Sequence, residues 1–192
     1  MTDSLPEPVE RALDAHDAFE PIANEADESE SEYDTGYEYE LTTTVFETAI
    51  TATDAEDPRD GTIHVTVTVP TLDAAVANEP VADVVEDGWF ETFERRLEDT
   101  FGVTNLRTHE EPAVERDDRE VRVRLEYVAW DAGEGVADAK TLIEYVEGTY
   151  AQGIIPGYEY RGPVGELLEN AQQRGQQAAN GAGGEDGNGA PL

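Results

Sequence analysis

From Tyr37 onward the chain alternates: Tyr37, Tyr39, Leu41, Thr43 and Val45 fall on one face of an extended segment, with Glu38, Glu40, Thr42 and Thr44 on the other. That period of two predicts a half-buried strand. After Val45 the apolar positions change parity to Phe46, Thr48 and Ile50. A strand cannot switch its buried face without an extra residue, so a bulge or break is expected at Val45–Phe46. Ile63, Val65, Val67 and Val69 then alternate with His64, Thr66 and Thr68 behind the turn Glu56-Asp57-Pro58-Arg59-Asp60-Gly61. The two alternations around an Asp-Gly pair predict an antiparallel hairpin.

The rhythm then lengthens. Val81, Val85, Trp89, Phe93, Leu97 and Phe101 recur every four residues, and Pro80 suits the first turn of the helix they imply. Gly102 is placed to close that helix in the left-handed region, and Gly88 offers a point of division with Asp87 as cap. Two strands are expected next: a poorly patterned one from Val103 to about Val114, and a clear one from Arg119 to Trp130, with Val121, Val123, Leu125 and Tyr127 opposite Arg122, Arg124 and Glu126. Val136, Ala139, Ile143, Val146 and Tyr150 form one stripe of a helix from Gly135 to about Tyr150. A Gly- and Pro-rich loop from Gly153 to Pro163 precedes a short helix at about Val164 to Gln173.

At the front, Val9, Ala12, Leu13 and Phe19 suggest a docking helix over residues 1–19. Residues 20–34 contain the run Glu25-Ala26-Asp27-Glu28-Ser29-Glu30-Ser31-Glu32 and read as an acidic linker. Residues 35–173 form a single domain, and 174–192, rich in Gln, Ala, Asn and Gly, read as a flexible tail. The element order is α-β-β-α-β-β-α-α. Because each strand has one apolar face, the expected fold class is α+β: two layers, with an antiparallel sheet of four or five strands and helices packed on one face.

Charge changes the picture of the environment. One Lys and eleven Arg stand against 45 Asp and Glu, for a formal charge of −33 over 192 residues. In dilute buffer such a surface repels itself, whereas at about 1 M salt the Debye length is only ~3 Å. A chain with 38% apolar residues at regular periods is not a disordered polyanion. The expectation is therefore a folded protein of a halophile's cytoplasm. Nucleic-acid mimicry is the alternative source of such acidity. The N-terminus shows neither a basic region nor an apolar core of a signal segment, and no stretch reaches the ~20 apolar residues of a membrane span.

Two stretches are unusual as strings: Val85-Glu86-Asp87-Gly88-Trp89-Phe90-Glu91-Thr92 through Glu98, and Tyr145 to Tyr150 continued by Pro156-Gly157-Tyr158-Glu159-Tyr160. Their Gly-Trp-Phe-Glu-Thr and Pro-Gly-Tyr-Glu-Tyr motifs resemble signatures of an uncharacterised haloarchaeal protein family of unknown function, over roughly Gly36 to Leu168. The resemblance implies no activity and no catalytic residues. At a coarser level the element order is similar to the two-layer fold of secretion chaperones and their stand-alone relatives, with two strands before the central helix where those have three.

Available chemistry is narrow. There is no Cys, and the only serines are Ser4, Ser29 and Ser31, in the terminal segment and the acidic linker, so serine or thiol nucleophiles are unsupported. No glycine-rich phosphate loop exists, and Lys140, one turn before Glu144, reads as half of a surface ion pair. His16, His64 and His109 lie on separate elements, so no metal site and no cofactor are expected. Arg122 and Arg124 are candidates for a local anion-binding surface beside Arg107, or for cross-strand pairing with carboxylates. Tyr158, Tyr160 and Arg161, in a loop stiffened by Pro and Gly, are the leading candidates for a binding surface, or for a lid closing the core. The function expected is a non-enzymatic module that binds a protein partner or self-associates, without nucleic acid or membrane as partner. Alternatives are a small carboxylate-based acid–base or metal-dependent enzyme and an acidic nucleic-acid mimic.

Overall fold

The computed structural model describes residues 5–22 and 38–181. It contains one six-stranded antiparallel sheet: β1 (Phe19–Ile22), β2 (Glu38–Leu41), β3 (Glu47–Thr53), β4 (Gly61–Pro70), β5 (Ala113–Arg116) and β6 (Glu120–Ala129), in the spatial order β1-β2-β3-β4-β6-β5. Five α-helices accompany it: α1 (Glu7–Asp14), α2 (Leu72–Ala75), α3 (Asp83–Leu97), α4 (Ala132–Gln152) and α5 (Gly162–Gly181). The α+β class and the single-sided sheet are as the alternation implies.

The sheet has six strands where four or five were expected, and each difference has a local cause. The parity change at Val45–Phe46 is met by a full turn between β2 and β3 rather than a bulge; Thr44 Oγ1 donates to Glu147 of α4 at 2.5 Å and Phe46 is buried. Phe19, expected on the first helix, instead begins β1 and pairs with Leu41. Four strands therefore precede α3, not two. The run Glu25–Glu32 and Tyr37 lie outside the described residues, as do 182–192 of the expected tail. Helix α5, expected to end near Gln173, continues to Gly181.

The central pair is β4 and β6, in register from Gly61 opposite Ala129 to Pro70 opposite Glu120. Ile63, Val65, Val67 and Val69 of β4 and Val121, Val123, Leu125 and Tyr127 of β6 are all buried under the helices. Their alternates, including Thr66, Thr68, Arg122 and Arg124, face away from the core and remain at least partly exposed. The weak pattern before β5 also resolves: Val128 N donates to Thr108 O and Glu110 N to Glu126 O, but regular pairing resumes only at Ala113. Pro112 intervenes, and proline has no N–H to give a ladder.

Helix α3 runs through Gly88 without division, and Trp89, Phe93 and Leu97 form its buried stripe. Gly102 sits in a 3-10 turn (Thr100–Val103), not in a left-handed cap. Helix α4 begins behind two carboxylates: Asp60 accepts from Ala132 N at 2.8 Å and Asp131 from Glu134 N at 2.9 Å. These satisfy N–H groups that the helix itself leaves free.

Helix α4 approaches the sheet so closely at Gly135 that an added Cβ would sit 2.6 Å from Ala129 Cβ and 3.0 Å from Ile63 Cδ1. Gly135→Ala is expected to lower unfolding free energy by ~1–3 kcal/mol through overpacking. Gly88→Ala, where a Cβ meets nothing within 4 Å, is expected to raise it by ~0.5–1 kcal/mol by favouring the helix. Denaturant titration of both variants in concentrated KCl checks the opposite signs.

Candidate functional site: an aromatic-floored cleft between α3 and α4

The stripe of α3 meets the end of α4 through aromatic rings. Trp89 and Phe93 stack with centroids 5.5 Å apart and planes 8° from parallel; Tyr150 of α4 stands edge-on to both, at 5.5 and 5.8 Å, and Phe46 completes the group at 5.0 Å from Tyr150. Such geometries match the quadrupoles of the rings. Beside this cluster opens a cleft of about 340 Å³, bounded by Gly88, Thr92 and Arg96 on α3, Thr149 and Gln152 on α4, and the loop Gly153 to Pro156. Trp89 and Phe93 line its floor.

The loop wall is held in place by Tyr160. Its hydroxyl accepts from Ile155 N at 2.9 Å and donates to Ile155 O at 3.0 Å. Burial, the first cause, and the neighbouring Tyr158 raise the Tyr160 pKa, while the bond from Ile155 opposes them. Gly153 permits the loop to touch the indole edge, since a Cβ there would lie 3.0 Å from Trp89 Nε1. Gly157, at φ +105°, supplies the turn that brings Tyr160 back. Below the loop, Arg161 Nε donates to Ala74 O at 3.1 Å, Arg161 N to Ala75 O, and Ala77 N to Glu159 O. The loop is thus clamped to α2.

The expected site residues are therefore distributed as follows. Tyr160 and Arg161 spend hydrogen bonds on the loop and α2, and Tyr158 is half-buried beside them. Arg122 and Arg124 lie on the uncovered sheet face and form ion pairs with Glu120, at 3.2 Å, and with Glu115. Arg107 does not join them; it lies by the other end of β6, lining a cavity of about 330 Å³ with Trp130, Glu134 and Asp138. Asp138 has its pKa raised, first by burial and then by Glu134. Lys140 pairs with Glu144 as its spacing implies. His64 lies 3.3 Å from Glu126, His16 packs on Phe19 and His109 stacks on Phe101 at 4.0 Å, so each imidazole has a different neighbour. No cluster of three or more His, Asp or Glu placed to hold a metal occurs among the described residues, and no helix among them is long and apolar enough to cross a membrane.

Sequence reasoning found the loop but missed the cleft it borders. The signal was present: Trp89, Thr92, Phe93 and Arg96 share adjoining positions on successive turns. What was not legible is that α4 ends where α3 presents them.

Electrostatics distinguishes this cleft. Three other surface cavities each include three carboxylates: Asp131, Glu134 and Asp138 near Trp130; Glu47, Glu120 and Glu166 near Arg119; Glu94, Glu98 and Glu111 near Val114. Among the described residues the α3–α4 cleft includes none, and one arginine, Arg96. Among the described residues Arg96 forms no ion pair.

Fold and cleft together define an open-sheet α+β protein with its aromatic cavity on the helical side. A family described as "Family of unknown function (DUF5813)" matches residues 14–170, and the chain belongs to that family. No curated protein and no solved structure matches it.

The two tyrosines of the site separate cleanly. Tyr150 is buried, its hydroxyl has no hydrogen-bond partner among the described residues, and burial, with Tyr160 and Glu86 nearby, pushes its pKa far above the ordinary phenol value. Tyr150→Phe is expected to leave stability unchanged or slightly higher. Tyr160→Phe is expected to cost ~1 kcal/mol by leaving Ile155 N and O without their partner. Thermal melts at fixed high salt compare them.

Proposed function

We propose that this protein is a non-enzymatic binding module of a halophile's cytoplasm, and that it engages a protein partner by taking one of the partner's apolar side chains into the α3–α4 cleft. The observation that supports this reading most is the composition of the cleft. In a chain with 45 acidic residues, a cavity lined, among the described residues, by two stacked aromatic rings, one arginine and no carboxylate departs from the other three cavities. Buried aromatic anchors in a pocket with a polar rim are where binding energy concentrates. The volume, about 340 Å³, lies at the small end for ligand cavities and suits a single large side chain. The rigid wall supplied by Tyr160 and the α2 clamp limits the ordering cost of binding.

The halophilic setting is supported by where the carboxylates sit. Exposed acids decorate α1, α3, α4, the uncovered sheet face and the turns, a distribution suited to hydration in brine rather than to imitation of one nucleic-acid strand. The thermal midpoint is expected to climb steeply between about 0.1 M and about 3 M KCl, as screening relieves self-repulsion. Equal midpoints in the two buffers would remove the halophilic reading.

For the cleft, affinity capture from a haloarchaeal lysate in concentrated KCl is expected to retain partners on the wild type and on Gly148→Ala, whose new Cβ meets nothing within 4 Å and lies off the cleft. Gly88→Phe, which fills the cleft from an exposed helix position, is expected to lose them while melting within a few degrees of wild type. Retention by Gly88→Phe contradicts the assignment.

A further inference from the structure

We infer that the group the cleft accepts is an apolar residue carrying a free carboxylate, the C-terminal residue of a partner chain. This rests on the protein-binding reading above and adds to it the chemistry of the occupant. Arg96 follows Phe93 by one helical turn and Trp89 by two, so its Cβ lies about 5–6 Å from that of Phe93 on the side of α3 that borders the cleft. A ligand that satisfies both must hold its anion within one residue of its apolar body. A chain terminus does so, because its carboxylate is bonded to the same Cα as the side chain. An internal Asp or Glu places its carboxylate at the end of a side chain of its own, and the apolar body must then come from a neighbour.

The complementarity is of charge as well as shape. Among the described residues no carboxylate lines the cleft to compete for Arg96, whereas Arg116, Arg122 and Arg124 are each already paired with an acid. An arginine fork donates two parallel hydrogen bonds to one carboxylate, a contact at hydrogen-bond range that survives the short screening length of concentrated salt. Gln152 at the cleft adds a neutral amide donor, while the Thr92 hydroxyl donates to Gly88 O at 2.8 Å and is left as an acceptor.

The test uses the full chain in concentrated KCl, titrated calorimetrically with short peptides ending in phenylalanine, leucine or valine, each made as the free acid and as the C-terminal amide. Phenylacetate is the small-acid probe. Free-acid peptides are expected to bind at least about tenfold more tightly than their amides. That ratio is expected to fall close to unity in Arg96→Gln and to be partly kept in Arg96→Lys, which retains charge without the fork. Arg96 is exposed, and melts of both variants confirm that they fold.

Equal binding of acid and amide overturns the carboxylate assignment while leaving protein binding by the cleft intact. A ratio that persists in Arg96→Gln overturns the role of Arg96. Arg96-dependent binding of phenylacetate with no binding of any peptide overturns the chain terminus as source and the protein-binding reading together. An absence of binding by every probe overturns the inference.

Discussion

The β4–β6 pairing is the constraint from which the rest follows. Ten residues of each strand lie in register, and because side chains alternate across a sheet, that register sends eight apolar side chains to one face in a single commitment. Each contributes roughly 1.5–3 kcal/mol when fully removed from water. Helix α4 can cover them only by lying close, which is why Gly135 meets Ala129 and Ile63 at contact distance. Once α4 is fixed, its far end fixes Tyr150, and Tyr150 in turn orients Trp89 and Phe93 edge-on to itself. The cleft is thus the remote end of a chain of contacts that starts in the sheet.

How much of this the sequence discloses depends on the range of the forces involved. Strands β4 and β6, helix α4 and the core stripe of α3 are legible because their patterns are local and their partners lie on one face. The split into β2 and β3 was signalled by the parity change at Val45–Phe46, although whether a bulge or a turn resolves it depends on Glu147, about a hundred residues away, accepting from Thr44. Strand β1 left no trace, since Phe19-Glu20-Pro21-Ile22 is too short to alternate convincingly and continues an amphipathic segment. The loop Gly153 to Pro163 was recognisable as rigid from its Pro and Gly. Its clamp to α2 was not, because Ala74 and Ala75 offer only backbone carbonyls, which have no sequence signature.

Charge and packing divide the molecule between them. Three carboxylates serve as helix caps: Asp60 and Asp131 for α4, and Glu86 for the start of α2, where it accepts from Leu72 N and Asp73 N. The acidic surface thereby supplies capping groups without recruiting Ser or Asn. Positive charge, scarce in the composition, is mostly committed: Arg59 over the Trp130 ring, Arg116 over Phe90 and against Asp87, Arg161 on Ala74. Arg96, like Arg95, Arg107 and Arg119, forms no ion pair among the described residues, and of these four it is the one that lines the α3–α4 cleft.

One edge of the sheet is formed by two strands that are neighbours in space but well separated along the chain. Ile22 and Glu38 are direct partners across β1 and β2, so the ladder runs to the last described residue on each side. The pairing extends inward to Phe19 and Leu41, both buried, and α1 packs on α4 and β1. That outermost pair of strands is therefore tied to the body twice, once through its ladder and once through the helix that precedes it.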